Sequence, residues 1–123
     1  MRMVERPLVL VTEINEMIGI DLCEALIEAG YRVAGPVATV ADAEACLERE
    51  WPDLAVIEPW LRDGSSAGTM DRLRWRGVPV LVHAACEPSR AFDGTFAAAP
   101  WLAQPAIPWD VVIVLDDLAI GSV

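Results

Sequence analysis

Lysine is absent from this sequence, and histidine and tyrosine each occur only once. All nine strongly basic residues are therefore arginines, and they face nineteen aspartates and glutamates, which gives a formal net charge of −10. A surface that binds nucleic acid through its phosphates needs the opposite sign. The composition therefore argues against direct binding of DNA or RNA.

Cysteine is also scarce. Cys23, Cys46 and Cys86 lie far apart, without a C-x-x-C pair, and an odd number cannot close a disulfide framework. We interpret them as small core residues, with a reactive thiol as the alternative. No apolar run approaches the roughly 20 residues of a membrane span, and the amino terminus lacks a signal-peptide pattern. We expect a cytoplasmic protein that does not associate with a membrane.

Common enzyme signatures are missing as well. The sequence has no G-x-G-x-x-G fingerprint and no P-loop, and its predicted strand ends carry no Ser/His or Cys/His set. What it does have is a hydrophobic fraction of 54%, which is high for so acidic a chain. This fraction suggests apolar surface that is kept for a protein partner. An α/β enzyme with an unrecognised substrate remains a less favoured alternative.

Apolar strands and helical patterns alternate along residues 1–123, which we interpret as a single domain. The segment 88–98 is too short and too rich in small residues to predict a helix, and the Val-Val-Ile-Val run in the last helix also permits a strand. The predicted strands are 8–11, 31–35, 53–57, 78–83 and 101–103, and the predicted helices are 18–29, a helix that starts at Thr39, 66–76 and 109–120. This order predicts an α/β flavodoxin-like fold, a doubly wound five-stranded parallel sheet of order 2-1-3-4-5 with helices on both faces.

The segment from Glu58 to Gly64 carries the clearest functional pattern. The apolar run 54–57 brings Glu58 to the carboxyl end of a strand, which is the edge where open α/β sheets place their sites. Asp63-Gly64 follows as a turn, in which glycine tolerates a positive φ. The pattern acid-x-x-Leu-x-Asp-Gly resembles the phosphoacceptor loop of bacterial response-regulator receiver domains, with Glu58 where that family has Asp. The element order resembles this family from the first strand to Gln104-Pro105.

The resemblance also implies where the other site residues lie. The family holds Mg²⁺ with two acids after the first strand, reads the phosphoryl group with Ser or Thr after the fourth, and pairs it with a Lys that precedes Pro after the fifth. The corresponding positions here hold Glu13 and Ile14, then Ala84, then Gln104 and Pro105. We therefore expect no cofactor, weak or absent Mg²⁺ binding and inefficient phosphorylation.

Three interpretations of Glu58 stay open at this point. It is either a solvated acid without a function, a permanent mimic of phospho-Asp, or a weak phosphoacceptor in a true phosphorelay. Proximity to Glu13 is expected to raise the pKa of one member of the pair. His83, a lone histidine at a strand end, is more typical of a structural residue, and we assign it no role.

The last helix is predicted to have two apolar faces, and one sheet cannot cover both. In the family that this chain resembles, the fourth helix, fifth strand and fifth helix form a contact face. We therefore predict a partner surface formed by Trp101, Trp109, Val112 and Ile113, together with assembly as a homodimer. The expected function is that of a stand-alone degenerate receiver that binds a histidine kinase or another signalling protein.

Overall fold

The computed structural model describes residues 6–84, 96, 99–104 and 106–121, and strands alternate with helices through this part of the chain. The strands are β1 Leu8–Thr12, β2 Arg32–Val37, β3 Leu54–Ile57, β4 Trp60–Leu61, β5 Gly64–Ser65, β6 Val80–Ala84 and β7 Trp101–Ala103. The helices are α1 Glu16–Glu28, α2 Val40–Arg49, α3 Ala67–Trp75 and α4 Pro108–Gly121. The segment 88–98, apart from Phe96, and the residues Cys86 and Pro105 lie outside the described residues.

Five strands form a parallel sheet in the order β2-β1-β3-β6-β7. The short strands β4 and β5 pair only with each other in a separate antiparallel hairpin. Counted without this hairpin, the order along the sheet is 2-1-3-4-5, and the predicted flavodoxin-like fold is confirmed. The carboxyl ends of β1, β3, β6 and β7 consequently meet at one edge of the sheet.

Alternate residues of the central strands face two separate cores. Leu8 and Leu10 of β1 pack on the side of α2 and α3, whereas Val9 and Val11 pack on the side of α1 and α4. Strands β1, β3 and β6 are buried along their full length, as expected for parallel strands that are covered on both faces. This burial explains why these strands are continuous apolar runs rather than alternating patterns.

Local signals place most element boundaries close to their predicted positions. Thr39 caps α2, because its hydroxyl accepts the backbone N–H of Asp42 at 3.0 Å. Gly30 and Gly77 end α1 and α3 with φ of 102° and 74°. The Val-Val-Ile-Val run is helical within α4, so its reading as a strand is wrong.

Strand β2 continues to Val37, two residues beyond the predicted end, and passes through Gly35 at a φ of 121°. Among the described residues, no helix is both long and apolar enough to cross a membrane. Cys23 and Cys46 are buried and unpaired, and burial raises the pKa of the Cys23 thiol to about 11. These two positions agree with the interpretation of the cysteines as core residues.

Candidate functional site

The sheet edge brings together four of the residues singled out in the sequence: Glu13, Glu58, Ala84 and Gln104. Glu13 directly follows β1, Glu58 follows β3, Ala84 ends β6 and Gln104 follows β7. The backbone N–H of Gln104 donates to the carbonyl oxygen of Ala84 at 2.8 Å, which extends the β6–β7 pairing by one residue. The strand ends thus fix these positions through the main chain.

Glu13 is buried, with 3% of its surface exposed, and both its carboxylate oxygens accept hydrogen bonds. Oε2 accepts the backbone N–H of Asn15 at 3.0 Å, and Oε1 accepts Nε2 of Gln104 at 3.0 Å. Burial raises the pKa of Glu13 above its ordinary value, and these hydrogen bonds oppose that rise. Glu13 is therefore engaged inside the protein rather than presented to solvent.

Glu58 is buried to a similar degree, with 5% of its surface exposed, and its Oε2 is buried without a hydrogen-bond partner. Its backbone is held firmly instead. The N–H donates to Oγ1 of Thr12 at 2.8 Å, and the carbonyl oxygen accepts the hydroxyl of Ser66 at 2.8 Å. The interpretation of Glu58 as a solvated acid is therefore wrong, because the residue is almost fully buried.

The buried acids lie close enough to influence each other. Burial, and secondarily the charge of Glu13, raises the pKa of Glu58 to about 8. The pKa values of both acids are thus raised, with burial as the largest cause for each, whereas the sequence analysis expected proximity to raise only one. At pH 7 a carboxyl group with this pKa is ionised in only roughly one molecule in ten.

The cleft beside Glu13 is polar but poorly suited to a magnesium ion. Ile14 takes the place next to Glu13, and Nη2 of Arg62 donates to the Ile14 carbonyl oxygen at 3.3 Å. Mg²⁺ prefers free carboxylate oxygens and near-octahedral geometry. Within the described residues, no group of three or more His, Cys, Asp or Glu side chains is arranged to hold a metal ion. Because the Glu13 oxygens are already engaged and Glu58 is mostly protonated, the side chains do not fit this ion.

Ala84 and His83 complete the end of β6. Ala84 is fully buried and offers no hydroxyl. The ring of His83 is also buried, and both its nitrogens lack a hydrogen-bond partner. Nδ1 lies 3.7 Å from Oε1 of Glu13, which is too long for a hydrogen bond. Burial lowers the pKa of His83, so the ring is neutral at pH 7.

The whole fold matches those of solved receiver domains. A CheY-like receiver domain protein from Methanospirillum hungatei superposes with a TM-score of 0.83 at 18% identity, over 95% of this chain and 96% of the other. The chemotaxis response regulator CheY4 of Vibrio cholerae gives a TM-score of 0.79 at 19% identity, over 92% of this chain and 98% of that protein. The REC domain of the response regulator PhyR from Erythrobacter litoralis gives 0.79 at 23% identity, over 94% and 91% of the two chains.

The chain has the receiver-domain fold. No protein-family sequence model matches it, and no curated protein matches it in sequence. Identities of this size extend to the fold and not to the activity of these proteins. The role of each side chain is therefore inferred from its own contacts and burial.

The predicted partner surface of this receiver fold is only partly exposed. Trp109 and Ile113 are 56% and 47% exposed on α4, and Trp101 is half-buried against the core on the α2 and α3 side. Val112 is only 1% exposed and belongs to the core on the α1 and α4 side, so its assignment to the partner surface is wrong. Packing of α1 beside α4 covers Val112, which a helical wheel of α4 alone does not reveal.

Two residues that hold the acid loop of the receiver fold were not identified from the sequence. Thr12 and Ser66 both bind the backbone of Glu58 through their hydroxyls. A signal existed for each, because Thr12 is the polar residue that directly follows the predicted strand 8–11 and Ser66 begins the predicted helix 66–76. The side chain of Pro105, the other residue expected at this edge, lies outside the described residues.

Proposed function

We propose that this chain acts in signal transduction as a degenerate receiver, through contacts with protein partners and without efficient phosphorylation or catalysis. The observation that carries the proposal is that neither acid offers a free, ionised carboxylate. Both carboxylate oxygens of Glu13 accept hydrogen bonds, one from Asn15 and one from Gln104. Glu58 is buried and has a pKa of about 8. A phosphoacceptor needs an ionised, accessible oxygen beside a bound cation.

The residues around the acids add further obstacles to phosphotransfer. Glu58 is longer than the aspartate of the family by one methylene, and displacement of a reacting atom by about 1 Å can cost about a hundredfold in rate. Gln104 carries no charge to neutralise a phosphoryl group, and loss of one stabilising donor typically costs about 10²–10³ in rate. Ala84 supplies no hydroxyl that would respond to modification. The costs at Glu58 and Gln104 act on the same step and together make phosphotransfer too slow for signalling, whereas Ala84 removes the response that would follow it.

The protonation of Glu58 also bears on whether it imitates phospho-aspartate. A phosphoryl group carries about −1.5 to −2 charges at pH 7, whereas a carboxyl group with a pKa of about 8 is mostly neutral. A neutral acid without a responding hydroxyl supports a site held in one state, in preference to a charged mimic. The partner then recognises a fixed surface rather than a switch.

The exposed apolar residues of α4 are the proposed contact surface. Trp109, Ile113 and Ile120 lie on one side of this helix and are largely exposed. Apolar residues spaced by four and seven positions share a face of a helix and favour burial against another protein. We propose a homodimer with two-fold symmetry through this surface, because this is the commonest way to bury such a patch.

Intact mass spectrometry tests the absence of phosphorylation. The wild type, Glu58→Gln and Glu58→Asp are each incubated with a small-molecule phosphodonor and Mg²⁺. We expect no stoichiometric gain of a phosphoryl group in any of the three, because restoring Asp leaves Ile14, Ala84 and Gln104 in place. A full adduct on the wild type that Glu58→Gln abolishes would establish a phosphorylatable receiver instead.

A further inference from the structure

A cavity of about 130 Å³ lies between α1, the start of α4 and the end of β6. The residues that line the cavity range from buried to exposed. Leu22, His83 and Val111 are buried, whereas Ile18 is half-buried and Asp21 is exposed. The cavity is therefore a short pocket with an apolar floor and a mouth that opens between the two helices.

His83 is the one polar side chain among the buried residues of this lining. It is 2% exposed, and neither ring nitrogen has a hydrogen-bond partner. Nδ1 lies on the side of Glu13, at 3.7 Å from Oε1, and Glu13 does not line the cavity. A nearby carboxylate favours the tautomer with the proton on Nδ1, which leaves Nε2 as an acceptor.

Water is a poor occupant of this pocket. A buried water needs two to four polar partners, and His83 is the one polar side chain among the buried residues of the lining. Displacement of a poorly held water by an apolar group increases affinity. The best occupant consequently has one O–H or N–H donor for His83 and an apolar body for Leu22 and Val111.

Size and charge narrow the class of ligand. An engineered cavity of about 150 Å³ in another protein accommodates benzene, so a single aromatic ring suits the space here. The carboxylate of Asp21 at the mouth and the net charge of −10 oppose an anion. We propose that the cavity binds a small uncharged phenol, whose hydroxyl donates to Nε2 of His83 and whose ring packs on Leu22 and Val111.

Binding is measured with phenol itself, with toluene as the ligand of equal size without a donor, and with benzoate as the anion. Thermal unfolding and ¹⁵N spectra of the histidine ring serve as the two readouts. We expect saturable stabilisation by phenol, roughly tenfold weaker binding of toluene and weaker binding still of benzoate. In the free protein the spectra should show a neutral ring with its proton on Nδ1.

Two variants test the location of the site. His83→Leu removes the acceptor and should bring the affinity for phenol down to that for toluene. Ile18→Trp, at a half-buried position, narrows the mouth of the cavity and should weaken the binding of both ligands. Equal binding of phenol and toluene to the wild type overturns the proposal, as does a proton on Nε2. Phenol binding that neither variant alters, or no saturable effect, also overturns it.

Discussion

Gln104 and Glu13 lie 91 positions apart in the sequence and are joined by a hydrogen bond of 3.0 Å from the amide nitrogen to Oε1. The bond ties the loop after β7 to the loop after β1 across the sheet edge. An uncharged amide thus satisfies an acid without neutralising it, at the position that the sequence resemblance assigns to the family's lysine.

Loss of this bond should weaken the fold most when Glu13 is ionised. Gln104→Met keeps the length of the side chain and removes the donor, and we expect a loss of about 1 kcal/mol in the free energy of unfolding near pH 7. The loss should shrink at a lower pH at which Glu13 is protonated, because a protonated carboxyl group accepts a weaker bond. Urea unfolding measures both values. A double-mutant cycle with Glu13→Met that gives no coupling energy would contradict this assignment.

Protonation of Glu58 predicts a stability that falls as the pH rises. Its pKa of about 8 in the folded protein exceeds its ordinary value of 4.5, so folding favours the protonated form. The free energy of unfolding should therefore decrease by about 1 kcal/mol per pH unit between pH 6.5 and 8. His83 has a pKa lowered below 6.5 and contributes a smaller opposite slope, which fades as the pH rises above 6.5.

The control for this pH dependence is Glu58→Gln, which is neutral at every pH. Its unfolding free energy should stay nearly flat between pH 6.5 and 8, so that it exceeds that of the wild type at pH 8 and approaches it at pH 6.5. Chemical denaturation at a series of pH values measures the difference. Parallel curves for the two proteins would show that Glu58 is ionised in the folded state.

The proposed dimer predicts different outcomes for neighbouring residues of α4. Ile113→Arg places a charge on the exposed face and should yield a folded monomer in light scattering. Val112→Arg places the same charge in the core and should abolish folding, because an unpaired buried charge is costly. Ile27→Arg, at an exposed site of α1, is the matched control and should remain dimeric. A monomeric wild type would contradict the assembly.

Substitution of Gly35 by alanine should cause a steric clash, and the same substitution at Gly30 is the control. A Cβ at Gly35 would lie 2.5 Å from the backbone oxygen of Val11, whereas a Cβ at Gly30 meets nothing within 4 Å. Both residues have positive φ, so alanine should cost each about 1–3 kcal/mol of conformational strain. Gly35→Ala should lose clearly more stability than Gly30→Ala in urea unfolding. Equal losses of unfolding free energy for the two variants would mean that β1 shifts away from the added methyl group at no energetic cost.

The sheet could be predicted because its signals are local. Continuous apolar runs predict strands that are buried on both faces, and the residues at the ends of α1 and α2 predict where these helices stop and start. The hairpin of β4 and β5 was predicted only as a turn, since two-residue strands contain no measurable period. Right-handed crossovers place the helices on both faces, and the strand order follows from the flavodoxin-like fold that this alternation indicates.

The environment of the site depends on contacts that no local pattern encodes. A polar residue after a strand is normally solvated, but Glu58 is buried, and Thr12 and Ser66 hold its backbone. The burial of Val112 likewise follows from the position of α1 beside α4. The sequence predicted which residues meet at the edge and did not predict how much water reaches them.

Asp63, five residues after Glu58, accepts the backbone N–H groups of Val40 at 2.6 Å and Ala41 at 3.1 Å. The loop that follows the buried acid is thus also the cap of α2, and α2 is joined to α3 through the ion pair of Glu44 with Arg72. A rearrangement of this loop would therefore also shift α2 and α3. Because α4 lies on the other side of the sheet, the dimer proposed through α4 would leave both of these helices uncovered.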